Sequence, residues 1–208
     1  MIPHQTPPIL RWLYPSLTWR MPSEGRNLYL TFDDGPVSGP TEFVLDLLTR
    51  YSIGATFFCI GDNVRKYPHI FSDIIAAGHT VGNHTVNHVN GWRTSAEMYL
   101  ANTKEFDEIA RQAGQSLPTD LFRPPYGRVT GKQIRLLTGY RIMMWDVLTQ
   151  DYNSQLSPET CLRRTMRACR PGSIIVFHDS YKAQRNLEYT LPRLIDHFLE
   201  KDYQFGML

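Results

Sequence analysis

Leu28-Tyr29-Leu30-Thr31-Phe32-Asp33-Asp34-Gly35-Pro36 is the stretch on which the fold turns. Its apolar start reads as a buried strand. Two adjacent carboxylates close that strand. Acids in such a place are costly unless a metal ion or strong hydrogen-bond donors compensate them. Gly35-Pro36 then ends the strand and turns the chain. The acids therefore stand at the C-terminal end of a strand, where α/β barrels and sheets place their active sites. By itself Asp-Asp-Gly-Pro is also an ordinary turn, so the pair gains weight only from further ligand-type residues.

Such residues recur along the chain. His84-Thr85-Val86-Asn87-His88 spaces two imidazoles by four, which on a helical turn aims both at one ion. It follows a short strand flanked by Gly78 and Gly82. Two histidines and one carboxylate form a catalytic zinc set with an open position. Asp34, His84 and His88 supply it, and Asp33 is left as a general base beside a metal-bound water. In Phe122-Arg123-Pro124-Pro125-Tyr126-Gly127, Arg123 can orient a carboxylate bidentately. The two prolines stiffen that loop and leave the N–H groups of Tyr126 and Gly127 to face a ligand. Met143-Met144-Trp145-Asp146-Val147 leads to Asp151-Tyr152, and the strand Ile174-Ile175-Val176-Phe177 ends at His178-Asp179. A lone His at a strand end is an ordinary buried residue, but five polar clusters at strand ends point to a site.

The order TFDDGP, HTVNH, RPPY, WDVLTQDY, IVFHD resembles the polysaccharide deacetylase family, NodB-like and also called carbohydrate esterase 4, over residues 27–205. The resemblance implies removal of acetyl groups from N-acetylated amino sugars of chitin or peptidoglycan type. It implies Asp33 as base and Asp34, His84 and His88 as ligands of a divalent metal, zinc before cobalt, nickel or manganese. It further implies Arg123 as the residue that orients Asp33, and the Tyr126 N–H as an oxyanion donor beside Pro125. His178 would be the general acid, with Asp151 paired to His178 or to Arg123. Val176, Trp145 and Tyr152 would wall the acyl group and the sugar. A His beside a carboxylate is expected to keep its proton to higher pH. The chain departs from the family's Asp-x-x-Asp-Trp pattern, with Leu148 and Tyr152 at its first and last positions. The same chemistry on a formyl amide or a lipid-linked sugar is one alternative, and a catalytically inactive glycan-binding module is another. The complete set of Asp33, Asp34, His84, His88 and His178 argues against the last.

The remaining features set the context. At 208 residues, with 42% hydrophobic and 20% charged residues, the chain suits one globular domain. A net charge of +2 with scattered Lys and Arg excludes a nucleic-acid footprint. Three cysteines without a close CxxC exclude a disulfide framework. Neither a secretory leader nor a transmembrane span is read near the N-terminus, so a cytoplasmic monomer is expected, or an exported one whose leader has been removed. Residues 1–26 are expected to form an N-terminal strap and 27–208 the catalytic domain. The aromatic stretch Ile9–Trp19 is the one candidate for weak contact with a membrane surface. Strands are expected near 28–33, 55–60, 80–83, 120–123, 140–147, 173–178 and 203–205. Helices are expected near 40–51, 63–77, 94–113, 130–138, 158–169 and 187–201. This alternation predicts an α/β fold, an irregular (β/α) barrel of about seven strands.

Overall fold

The structure is a computed structural model that describes residues 4–22, 25–114 and 119–208. Parts of the expected strap, residues 1–3 and 23–24, lie outside it. In chain order the elements are α1 (Pro8–Leu13), β1 (Asn27–Asp33), α2 (Pro40–Tyr51), β2 (Thr56–Cys59), α3 (Gly61–Lys66), α4 (Pro68–Ala76), β3 (Thr80–Asn83) and α5 (Ala96–Gln112). There follow β4 (Leu121–Phe122), α6 (Gly131–Leu136), β5 (Arg141–Ile142), β6 (Val147–Leu148), α7 (Pro158–Ala168), β7 (Ile174–His178), α8 (Gln184–Leu199) and β8 (Gln204–Gly206).

The sheet runs β5-β4-β3-β2-β1-β7-β6, and β8 pairs with the start of β1 below β2. Every strand pair is parallel. The seven strands of this path curve into a half-barrel. Strands buried on both faces need continuous apolar runs rather than alternation, and β2 and the first four residues of β7 are buried throughout. Phe32 stacks on Phe57 and Phe177, its register neighbours on either side, at centroid distances of 5.0 and 6.0 Å. This ladder joins the main core, where Leu30 and Phe57 meet Val44, Phe71, Leu187 and Leu194 from the surrounding helices.

Helix starts follow local chemistry. Ser95 and Ser157 accept the N–H of Met98 and Thr160, while Thr130 and Gln133 form a reciprocal capping box. Two expected elements are divided. The helix read over 63–77 breaks at Tyr67 (φ −129°, ψ 57°) because Pro68 excludes the helical region from the residue before it. The strand read over 140–147 becomes β5 and β6, which leave the sheet's two edges open.

The N-terminal segment covers both edges. Thr18 bridges to Met143 beyond β5, and Gln5 pairs antiparallel with Val147 of β6. Bare edges invite pairing with other chains, so this cover also protects the sheet. Asp146, fully buried between the two short strands, fastens the cover: it meets Arg11 of α1, Arg170 at 3.2 Å and the Ser173 hydroxyl at 2.7 Å. Among the described residues no helix is long and apolar enough to cross a membrane. The three cysteines are free thiols, as the sequence leads one to expect.

Removing the Asp146 carboxylate strands two arginines and a hydroxyl. Asp146→Ala is expected to cost about 3 kcal/mol and to lower the melting temperature by roughly 10 °C, as read by calorimetry. A loss under about 1 kcal/mol would mean that the segment holds without it.

Candidate active site

Every polar cluster named above leaves a strand at its C-terminal end. Asp33 closes β1 and lies in register with His178, the last residue of β7. His84 follows β3, Arg123 follows β4, and Leu148 of β6 pairs with Val176. Together they surround a cavity of about 560 Å³, lined by Asp33, Asp34, His84, His88, Tyr126 and His178 among others.

Asp33 is nearly buried, and its Oδ1 receives Arg123 Nη1 at 2.6 Å. The guanidinium is itself wholly enclosed. It donates to Thr31 Oγ1 at 2.8 Å and to the carbonyls of Met143 and Met144 at 3.2 and 3.0 Å, and it lies 4.0 Å from the centroid of Phe58. A buried cation is tolerable only when its donors are met in this way.

Asp34 takes a positive φ of 81° just past the end of β1, and it lines the same cavity as Asp33. Its Oδ1 lies 3.3 Å from His88 Nε2 and 3.8 Å from His84 Nε2. These ligand atoms fall within 4.8 Å of one another. His84 Nδ1 lies 2.8 Å from the Arg123 carbonyl. A carbonyl only accepts, so Nδ1 carries the proton and Nε2 presents its lone pair to the cluster. Burial lowers the pKa of both imidazoles, that of His88 to about 4 with help from neighbouring His84. Asp34 Oδ1 is buried without a hydrogen-bond donor. Two neutral imidazoles and an unsatisfied carboxylate oxygen fit a divalent cation.

The two histidines do not share a helical turn, contrary to the reading from their spacing. Thr85 and His88 have φ of 66° and 56°, and the loop is held by side chains instead. Asn83 Oδ1 accepts the Thr85 N–H at 2.8 Å, Asn102 Oδ1 accepts that of Val86 at 2.9 Å, and Thr85 Oγ1 accepts that of Val89 at 3.2 Å.

The Arg123 loop brings Tyr126 to the cavity at φ 60°. The Tyr126 N–H has no acceptor among the described residues, whereas the Gly127 N–H, expected to face a ligand, bonds to the Pro124 carbonyl at 2.9 Å. That bond tightens the turn and consumes the second donor. Gly127 instead permits close packing, since a Cβ there would lie 2.6 Å from the Trp145 ring. Pro125 is buried behind the loop, and Pro124 lines the cavity in its place.

On the opposite wall Asp151 pairs with His178, not with Arg123, which Asp33 already occupies. One carboxylate oxygen meets His178 Nδ1 at 2.7 Å and the other accepts its backbone N–H at 2.8 Å. Burial alone would lower this imidazole's pKa. The charge and hydrogen bond of Asp151, with Asp34 and Asp33 behind them, lift it to about 9. Tyr152 stands edge-on to His178 at 4.9 Å, and Trp145, Leu148 and Val176 complete the apolar lining.

Three contributors escaped the sequence reading. Asp179, buried behind Asp33, accepts the Gly35 N–H at 3.0 Å and the Thr41 hydroxyl at 2.6 Å, and burial raises its pKa to about 8. It follows His178 directly, so its adjacency was the available signal. Arg128 and Lys182 also line the cavity, but surface-type cations in loops offered no pattern to find.

The family model described as polysaccharide deacetylase matches residues 20–143. A peptidoglycan-N-acetylglucosamine deacetylase of Bacillus cereus is 29% identical, covering 91% of this chain and 89% of its own. A chitooligosaccharide deacetylase of Rhizobium leguminosarum bv. trifolii is 31% identical over 76% and 73% of the two chains. A crystal structure of a peptidoglycan N-acetylglucosamine deacetylase with a bound N-oxidanyl-benzamide superposes with a TM-score of 0.90 at 28% identity, covering 98% of this chain and 95% of that one. Other relatives are longer, and the chain spans 55% of one and 36% of another.

The raised pKa of His178 rests on Asp151. In Asp151→Asn burial prevails, and an NMR titration of the imidazole nitrogens is expected to show the pKa falling by at least about one unit. An unmoved value would mean that Asp34 and Asp33 hold the proton instead.

Proposed function

The chain belongs to the polysaccharide deacetylase family, and from that premise we propose that it is a metal-dependent hydrolase that removes N-acetyl groups from amino sugars in glycans of peptidoglycan or chitooligosaccharide type. One observation carries this reading. A carboxylate held by a buried arginine and an imidazole held by a buried aspartate face one cavity, with a three-ligand set between them. Amide hydrolysis asks for that division, because the attacking water must lose a proton and the leaving amine must gain one.

Asp34, His84 and His88 would hold the ion, and two imidazoles with a carboxylate favour zinc. A bound divalent cation supplies Lewis acidity, which acidifies water and polarises the acyl oxygen. The chain's own groups do the rest. Asp33, fixed by Arg123, takes the proton as water adds to the acyl carbon. The Tyr126 N–H donates to the oxygen that becomes negative. His178 gives its proton to the nitrogen as the C–N bond breaks, releasing acetate and a free amine. Leu148, Val176 and Trp145 form the apolar lining suited to the acetyl methyl.

Acetate release from chitooligosaccharides and peptidoglycan fragments tests the reading. Release is expected to stop with a chelator and return with zinc. Asp33→Asn should lower kcat by about 10³-fold with metal still bound, while His88→Ala should lose metal and activity together. Near-wild-type turnover by Asp33→Asn would overturn the assignment of the base. Bound metal with no acetate from any of these glycans would overturn the assignment of the substrate.

A further inference from the structure

Arg128 and Lys182 line the cavity without a part in the chemistry above. Each is seated against an aromatic ring. The Arg128 guanidinium lies 4.9 Å from the centroid of Trp92 and 5.8 Å from that of Tyr126, and the Lys182 ammonium lies 5.5 Å from that of Tyr152. Those rings reach the reacting groups. Tyr126 is 4.4 Å from His88, on the ligand side, and Tyr152 is 4.9 Å from His178, on the acid side. One cation therefore flanks each side of the position where the acyl group must sit.

The Arg128 seat is built by the backbone. The Arg128 N–H bonds to the Pro125 carbonyl at 3.1 Å, and its own carbonyl approaches Gly91 so closely that a Cβ there would lie 2.2 Å away. Trp92 follows Gly91, so this approach places the indole beside the guanidinium.

Neither cation has a carboxylate partner among the described residues. Of the two acids that line the cavity, Asp33 is paired with Arg123 and Asp34 faces the two neutral imidazoles, so the charges of Arg128 and Lys182 together exceed the one carboxylate left without a cation. Leu148 lines it at a position where the family pattern has an acid. Unbalanced positive charge around a walled cavity concentrates anions, and an uncharged chitooligosaccharide has nothing to offer it.

We propose that Arg128 and Lys182 select acidic glycans, in which a group next to the acetylated sugar carries a carboxylate or a phosphate. The proposal rests on the deacetylase reading and adds the charge of the substrate. The two sources of negative charge are separated by using three probes of equal length: a neutral N-acetylglucosamine oligomer, an oligomer with a carboxylate on the neighbouring sugar, and one ending in a phosphomonoester.

The experiment measures kcat/KM for acetate release from each probe at low and high salt. It uses the metal-loaded wild type, Arg128→Gln/Lys182→Gln and the charge-conserving Arg128→Lys/Lys182→Arg. The wild type is expected to prefer one acidic probe over the neutral one by about tenfold, through KM, with the preference shrinking at high salt. The Gln pair should bring the ratio close to one with kcat on the acidic probe retained, and the charge-conserving pair should keep the preference. Whether the carboxylate or the phosphate probe leads identifies the anion. Equal kcat/KM on all three probes, or a preference that survives the Gln pair, would overturn the proposal and leave the deacetylase reading standing. Acetate from none of the probes would overturn both.

Discussion

The buried guanidinium of Arg123 is the constraint on which the site depends. Its donors reach Thr31 and Asp33 of β1 and the carbonyls of Met143 and Met144 between β5 and β6, while its own carbonyl accepts the Nδ1–H of His84. One residue thus sets the position of the Asp33 carboxylate and the tautomer of His84. It also bridges strands that do not pair with each other. A charge so enclosed is held because every contact is made at once. Removing one partner leaves an unpaired buried charge, which costs more than the pair itself contributes.

A second layer of polar groups keeps the strand ends in place. Asp179 receives the Gly35 N–H, and its own N–H donates to the Asp33 carbonyl at 3.1 Å. A Cβ on residue 35 would lie 2.0 Å from its Oδ2, so the glycine is there to admit the carboxylate. On the ligand side, Asn83 Nδ2 reaches the Thr103 carbonyl and Asp107, and its Oδ1 holds the loop that carries His84 and His88. The loops of the site are irregular, but Asp179 accepts the Gly35 N–H, and Asn83 and Asn102 accept those of Thr85 and Val86. Such contacts support the positive φ angles at Asp34, Thr85 and His88.

The strands were legible because parallel strands buried on both faces read as apolar runs, and the runs of β1 and β7 close on the acids and the imidazole of the site. The half-barrel and the grouping of Asp33, Asp34, His84, His88, Arg123 and His178 follow from those runs. What the sequence hid was set by contacts between distant segments. A spacing of four is the same for a helix and for a loop, and contacts such as those of Asn83 and Asn102 hold the HTVNH segment as a loop. The Gly127 N–H went to Pro124 through turn geometry that composition does not specify. Asp146 reads as one more acid at a strand end, yet its partners Arg11 and Arg170 are 135 and 24 residues away. Arg128 and Lys182 look like surface cations until the fold sets them beside Tyr126 and Tyr152.

Three histidines in one cavity take two different states, and the acceptor at Nδ1 accounts for the difference. At His84 that acceptor is a carbonyl, which carries no net charge, so burial dominates and the ring stays neutral with Nε2 open to a metal. At His178 it is the carboxylate of Asp151, whose charge outweighs the same burial and lifts the pKa to about 9. His88 has neither acceptor and lies beside His84, and its pKa falls to about 4. Protonated and neutral imidazole are therefore the same side chain under different partners. A strand supplies each partner: Arg123 leaves β4 beside β3, and Asp151 leaves β6 beside β7. The parallel sheet thus does more than gather the residues, because the neighbour of each strand decides the protonation state of the histidine at its end.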